Sequence, residues 1–210
     1  MHKMTARALA VGAVAFVSVG YAVDSQAVSF GLDCISNNNP VDCLIGESNL
    51  AVDVTDAGGG NVDITVSASG GDALSVANVY FDGDVLSGIV AIGDSPPDVD
   101  FEEGGAPPDL PAGNTVGFSA DFSASAEPPA PTSGVNPGES VTFTVSIAPG
   151  FDFGDVIDAM NSLDLRVGVH VIAFESGGSE SLVTVPEPGT LLLLAAGLAG
   201  LVGFGRRPVR

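Results

Sequence analysis

Residues 50–67 read LAVDVTDAGGGNVDITVS, and this stretch decides the fold class. Apolar side chains occupy every second position in Leu50–Val54 and again in Val62–Val66, and a glycine-rich segment separates the two runs. Alternation with a period of two is typical of a strand with one buried face and one polar face. The stretch therefore predicts two half-buried strands of an antiparallel sheet with a turn between them.

The same alternation returns at Val141–Ile147 and at Leu165–Val171. Turns rich in glycine, proline and aspartate separate these runs from further apolar segments, which we also expect to be strands. The predicted fold class is therefore all-β, an antiparallel β-sandwich of about 7–9 strands. The further predicted strands are Val76–Phe81, Leu86–Ile92 and Val116–Phe122.

One segment follows helical spacing instead. Counted from Val156, apolar residues follow at one, four and seven positions, namely Ile157, Met160 and Leu163. This spacing predicts one short helix with these four residues on its apolar side. Asp152 or Asp155 precedes or opens the segment and is available as the N-cap.

Acidic residues dominate the middle of the chain. The chain of 210 residues has a formal net charge of −20. Between residues 28 and 185 it has 24 acidic residues and a single basic residue, Arg166. A body of this charge repels phosphate backbones and anionic headgroups. We therefore expect no nucleic-acid partner and no electrostatic docking of the body to a membrane.

Residues 1–27 have the parts of a secretory signal peptide. Met1–Arg7 is positively charged, Ala8–Gly20 is apolar, and small residues precede a cleavage site after Ala27 or, alternatively, after Ala22. A short anchor that is never cut is the competing interpretation. The predicted domains are a signal peptide (1–27), an acidic exported β-sandwich domain (28–184) and a C-terminal tail (185–210).

The C-terminal residues 185–210 read VPEPGTLLLLAAGLAGLVGFGRRPVR. The apolar run Gly189–Gly205 would form a helix of about 25 Å, close to the roughly 30 Å of a bilayer core. Arg206 and Arg207 follow it and place this end on the cytoplasmic side. The sequence therefore predicts a single C-terminal transmembrane helix, which holds the exported domain at the inner membrane.

This tail resembles the PEP-CTERM sorting signal, which is also catalogued as the C-terminal domain of ice-binding proteins. The matching residues are Val185, Pro186, Glu187, Pro188, Arg206 and Arg207. The resemblance implies an exosortase as processing partner, cleavage near the Pro-Glu-Pro, and delivery to the cell surface or extracellular matrix. It also implies a host that makes extracellular polysaccharide. An ordinary C-terminal anchor is the alternative.

The two cysteines of the chain, Cys34 and Cys43, are nine positions apart. An even pair in an exported domain predicts a disulfide. A redox or metal-binding pair is the alternative, but the spacing is not C-x-x-C and no histidine lies nearby in the sequence.

The cluster Asp98, Asp100, Glu102 and Asp109 is a candidate calcium site, because carboxylates at alternate loop positions suit Ca²⁺. It departs from an EF-hand loop in the position of its glycine and in its twelfth residue. Acidic loops that only confer solubility are the competing interpretation, and no other cofactor is predicted.

We expect no enzyme. His170 is the single histidine after the signal peptide, so any triad or histidine-ligated zinc site would need it, and its strand position predicts a surface side chain. The preferred function is a non-enzymatic surface or matrix protein associated with exopolysaccharide in a biofilm. The alternative is a module that binds Ca²⁺ or carbohydrate.

Overall fold

The computed structural model describes residues 27–94 and 98–186, so the signal segment and most of the tail lie outside the described residues. Two helices of ten residues, α1 (Pro40–Asn49) and α3 (Phe153–Ser162), accompany a four-residue helix α2 (Ala130–Ser133) and a 3-10 turn at Gly113–Val116. The ten strands of the described residues are β1 (Val28–Cys34), β2 (Leu50–Gly58), β3 (Asn61–Ala68), β4 (Ser75–Asp82), β5 (Leu86–Asp94), β6 (Phe101–Glu103), β7 (Phe122–Ala126), β8 (Ser140–Ile147), β9 (Arg166–Ile172) and β10 (Glu180–Val185).

All strand pairs are antiparallel, and the strands form one sheet in the order β5-β8-β3-β2-β1-β10-β9-β4-β7-β6. Strand β1 joins the two halves, because Val28–Phe30 pair with β2 whereas Gly31–Cys34 pair with β10. The edge strands approach each other where the Phe101 N–H donates to Asp94 Oδ1 over 3.2 Å. The predicted all-β antiparallel class is confirmed, but the strands form one nearly closed sheet and not the two separate sheets of the predicted sandwich.

The core lies between the two halves of this sheet. The pattern that predicted β2 and β3 is confirmed, since alternate residues of β3 from Val62 to Val66 are fully buried and their neighbours are partly exposed. Phe81 stacks on Phe122 with ring centroids 4.8 Å apart, and Phe143 meets both Phe81 and Phe101 edge to face. Burying each such side chain contributes about 1.5–3 kcal/mol.

The predicted count of about 7–9 strands and one short helix is wrong for the described residues, because strands β1, β6, β7 and β10 and helices α1 and α2 were not predicted. From sequence alone, Asn37-Asn38-Asn39-Pro40 between the two cysteines predicts only a turn. Asn39 instead caps α1 by accepting a hydrogen bond from the Val41 N–H over 3.0 Å, and Pro40 occupies the first helical turn, where its missing N–H costs nothing.

The strand predicted at Val116–Phe122 is also wrong. Gly113–Val116 form a 3-10 turn and β7 begins only at Phe122. Of the apolar residues of this segment, Val116, Phe118 and Ala120 belong to a loop, residues 104–121, and only Phe122 belongs to the sheet.

The helix predicted around Met160 is confirmed as α3. Asp152 is the N-cap, and a capping box joins it to Asp155, whose side chain accepts from the Asp152 N–H over 2.8 Å. Leu163 does not share the buried face of the helix. It is the C-cap, with φ of 66°, and 44% of it is exposed.

The loop of residues 104–121 covers the outer face of the sheet at β4, β9 and β10. Leu110 and Phe118 pack there against Tyr80 and Val183 in a second, smaller core. Gly168 permits this contact, because a β-carbon at that position would lie 2.7 Å from Leu110 Cδ2 and 2.9 Å from Phe118 Cζ. The Tyr80 hydroxyl donates to the Pro107 carbonyl over 3.1 Å.

Arg166 fastens this loop to the sheet. Its guanidinium donates to the carbonyls of Val116 and Gly117 over 2.9 and 2.7 Å and forms an ion pair with Asp82. It also lies over the Phe118 ring, 5.3 Å from the centroid. Arginine suits this position because its planar fork donates several hydrogen bonds at once.

We therefore expect Arg166→Ala to lower the free energy of unfolding by about 1.5–3 kcal/mol, the range for hydrogen bonds to a charged group. Arg166→Lys should recover only part of the loss, because an ammonium cannot reproduce the fork. Urea unfolding measures the stability, and limited chymotrypsin cleavage at Phe118 measures the opening of the loop. Wild-type values for both variants in both assays would contradict this role.

Candidate functional site

The candidate site is the point at which the chain leaves the sheet. Val185 pairs with Gly31 and Thr184 pairs with Leu32, so β1 holds the last two residues of β10. On the other side, the Val167 N–H of β9 donates to Thr184 Oγ1 over 2.9 Å. The chain is therefore part of the folded sheet up to Val185.

Of the predicted sorting residues, Val185 and Pro186 are described, and both are half-buried. Pro186 is the first residue beyond β10 and has no N–H to donate to a neighbouring strand, so it suits the end of the ladder. Glu187, Pro188, Arg206 and Arg207 lie outside the described residues.

An apolar groove of about 210 Å³ lies beside this exit. Val183 and Val185 of β10 form one side, and Val116 and Leu163, which are 45% and 44% exposed, line it with Ile35. Arg166 also lines the groove, so the groove adjoins the loop of residues 104–121 that Arg166 holds.

The opposite end of β10 is held by a buried carboxylate that was not predicted. Glu180 is 1% exposed and accepts hydrogen bonds from the Asn38 and Asn39 N–H groups over 3.0 and 2.6 Å and from the Ser36 hydroxyl. A buried carboxylate is tolerable only when donors surround it, and here they come from the turn that enters α1. The strand alternation could not reveal it, because both faces of β10 are buried.

The predicted disulfide between Cys34 and Cys43 is present, and it joins the end of β1 to α1. Closing a loop with this separation of nine residues contributes roughly 2–3 kcal/mol by the chain-entropy model. The bond and the Glu180 hydrogen bonds hold the same segment, Cys34–Cys43, against β10.

Among the described residues, Cys34, Cys43 and Glu180 are the one group of three potential metal ligands within 4.8 Å of one another. Metals bind cysteine as the thiolate, and these sulfurs are bonded to each other. These three residues are therefore a disulfide, Cys34–Cys43, beside the carboxylate of Glu180.

The residues predicted as calcium ligands are not gathered into one set. Asp109 Oδ1 instead accepts from the Leu110 and Ala120 N–H groups over 2.9 and 3.1 Å, which stabilises the loop of residues 104–121. Asp98 and Asp100 are exposed where the chain enters β6. Calcium binding by this cluster stays a prediction.

A different acidic neighbour, Glu127, lies beside this cluster. The Glu127 N–H donates to the Asp100 carbonyl over 2.9 Å, and the Glu127 side chain meets that of Glu102. The hydrogen bond to Glu102 and the negative charge of Glu102 raise the pKa of Glu127 above its ordinary value of 4.5, and burial and Asp100 add to the rise.

His170, which was predicted to be a surface side chain, is half-buried and contacts an amide. Its Nδ1 lies 3.4 Å from Asn78 Oδ1, and the Asn78 side-chain amide donates to Ser125 Oγ over 2.7 Å. Partial burial lowers the pKa of His170, so the ring is neutral at pH 7. A carboxylate partner, which would orient a catalytic histidine and stabilise its cation, does not occupy this contact.

The raised pKa of Glu127 predicts a pH-dependent stability. An acid with a higher pKa in the folded state binds more protons there than when unfolded, so stability increases as the pH falls through that pKa. Glu127→Gln removes the repulsion and retains a donor for Glu102. We expect it to raise the melting temperature at pH 7 and to lose this advantage at pH 4.

Glu103→Gln is the matched control, because Glu103 lies next to Glu102 on β6 but on the opposite face. Thermal melts of both variants and of the wild type at the two pH values check the prediction. An equal gain in the two variants would mean that net charge alone, and not the contact with Glu102, causes the effect.

Within the described residues, no helix combines the length and the apolar character that crossing a membrane requires.

Searches of curated proteins and of solved structures find no match to the chain. A comparison with protein families matches residues 184–207 to the PEP-CTERM protein-sorting motif. The resemblance of the tail is thereby confirmed, because these residues match the PEP-CTERM protein-sorting motif, which is the mark of an exosortase substrate.

Proposed function

We propose that the protein is a non-enzymatic surface or extracellular-matrix protein that an exosortase sorts through the C-terminal tail and that associates with exopolysaccharide. An N-terminal signal peptide starts export, and the tail helix holds the chain at the inner membrane until it is processed. The PEP-CTERM motif supports export and sorting to the cell surface.

The observation that carries the proposal is where the motif begins in the fold. The matched residues start at Thr184, and β10 ends at Val185. A cut at or beyond Pro186 therefore removes the tail without removing any of the strands described, so the released body keeps its core.

The chemistry of the body supports a non-enzymatic role. The imidazole of His170 contacts an amide, and the carboxylates of Asp109 and Glu180 accept hydrogen bonds from backbone N–H groups. These acidic side chains serve the fold. The high negative charge keeps the body hydrated and disfavours anionic partners such as nucleic acid.

Processing in a host that has an exosortase tests this proposal. We expect intact mass to show that the tail is lost by a cut at or beyond Pro186, so that the mature protein retains β10. Replacing residues 186–188 by alanine should leave the tail attached, and the melting temperature of the body should not change. Pro149→Ala, in an exposed loop, is the control for loss of a proline.

A cut before Glu180 would contradict the structural argument, because it would remove an interior strand. Normal processing of the alanine variant, or an unprocessed wild-type chain in such a host, would contradict the sorting proposal.

A surface module that binds Ca²⁺ or carbohydrate is the second candidate. The contact between Glu102 and Glu127, next to Asp100, favours the calcium form, because a divalent cation would relieve their repulsion. A ligand that binds only the folded state raises its melting temperature. Binding therefore predicts a larger rise in CaCl₂ than in NaCl of equal ionic strength, and equal rises would exclude it.

A further inference from the structure

An open cleft of about 480 Å³ lies at one end of the sheet, between the β2–β3 turn and the start of α3. The glycines Gly58, Gly59 and Gly60 form one wall, and Phe151 and Asp152 belong to the other. This volume lies within the range of small-molecule sites, which combine apolar or aromatic surface with a few polar groups.

Phe151 supplies the aromatic surface. It is 46% exposed and is the one aromatic side chain among the large exposed hydrophobic residues of the described chain. The neighbouring Phe153 is instead packed against the main core. The exposed ring carries negative charge on its face, which attracts the C–H groups of a flat ligand stacked upon it.

The polar side chains that line the cleft are acceptors. Asp56 and Asp152 line the cleft, and each carboxylate has lone pairs for several donors. The three glycines have φ between 65° and 81°, and a β-carbon on any of them would meet no atom within 4 Å. Glycine is therefore required here by the backbone conformation, and the resulting turn is free of side chains, so a ligand can approach the main chain.

Both walls are held in place before any ligand arrives. The Gly58 N–H donates to Asp56 Oδ1 over 2.8 Å, and the Ile147 N–H donates to the Gly60 carbonyl over 2.9 Å. On the other side, the capping box of α3 fixes Asp152. A preformed site loses little conformational entropy when it binds.

We propose that this cleft binds an uncharged glycan, with a sugar ring stacked on Phe151 and its hydroxyls donating to the carboxylates of Asp56 and Asp152. A sugar ring offers C–H groups on its faces and hydroxyl donors at its edge, which are the two kinds of group that the cleft accepts. Glycans with carboxylate or sulfate groups are excluded by charge, because the two aspartates lie in a body with one arginine against 24 acidic residues.

The inference rests on the proposed association with exopolysaccharide. The cleft lies at the end of the sheet from which the C-terminal tail leaves, which agrees with that association. Val28 pairs with Val54, and Gly31 pairs with Val185. The start of β1, the β2–β3 turn and the end of β10 therefore point to the same end of the sheet. A protein held through its processed C-terminus would present the cleft toward the layer that holds it.

Affinity electrophoresis of the full chain in mild detergent tests the inference with named probes. Dextran, laminarin and galactomannan are neutral glycans, and alginate is anionic. We expect at least one neutral glycan to retard the wild-type protein and alginate not to do so. Phe151→Ala should weaken binding roughly threefold to tenfold, as expected for loss of one aromatic contact, and Phe151→Trp should preserve it.

Leu163→Ala is the matched control, because Leu163 has nearly the same exposure but lies in the groove at the chain exit. Melting temperatures identify any variant that fails to fold, and Asp152→Asn, which keeps the helix cap, provides a second variant of the cleft. Retardation by none of the neutral glycans, equal retardation by alginate, or equal binding of Phe151→Ala and the wild type would overturn the inference.

The assay does not depend on processing. A chain that is processed normally but binds no glycan would contradict the proposed glycan site and leave the sorting proposal intact. A chain that binds glycan through Phe151 but is never processed would contradict the sorting proposal and leave the glycan site intact.

Discussion

The pairing of the first strand with the last is the constraint on which the rest of the structure depends. Strand β10 lies in the interior of the sheet, between β1 and β9, and β1 passes from β2 to β10 so that two half-sheets become one. The sheet can therefore close only when the chain is complete to Val185. Both ends of the body leave from the same end of the sheet, and the sorting motif starts within the last two residues of β10.

Polar and charged side chains reinforce this arrangement at both ends of β10. At its start, Glu180 gathers the N–H groups that precede α1, and the disulfide holds the same segment. Near its end, Arg166 of the neighbouring strand fastens the loop that covers the outer face. In a body with a large excess of acidic residues, the single arginine is used for the fold, while several carboxylates accept from backbone N–H groups. Among the described residues, every buried side-chain nitrogen or oxygen has a hydrogen-bond partner, which keeps the cost of desolvation low.

The half-buried strands could be predicted from sequence, because a strand with one polar face shows its period directly. Strand β10 could not, since both its faces are buried and its apolar and polar residues follow no alternation. Helix α1 was missed although Asn39 and Pro40 are a recognisable helix start, because the cysteines and asparagines nearby suggested only a turn. The apolar residues near Phe118 imitated a strand but serve a loop core, which depends on the distant Gly168. The sorting motif could be predicted because its residues are contiguous in the sequence. The cleft at Phe151 could not, because it combines two distant segments and depends on the exposure of one ring, and only the fold determines both.

Denaturant unfolding of two fragments tests the central claim most directly. One fragment comprises residues 27–186, and the other, residues 27–179, lacks β10. The account predicts one cooperative transition for the longer fragment and none for the shorter, because removal of an interior strand separates β1 from β9 and removes the Glu180 anchor. Cooperative unfolding of the shorter fragment at the same urea concentration, or failure of the longer fragment to fold without the tail, would contradict it.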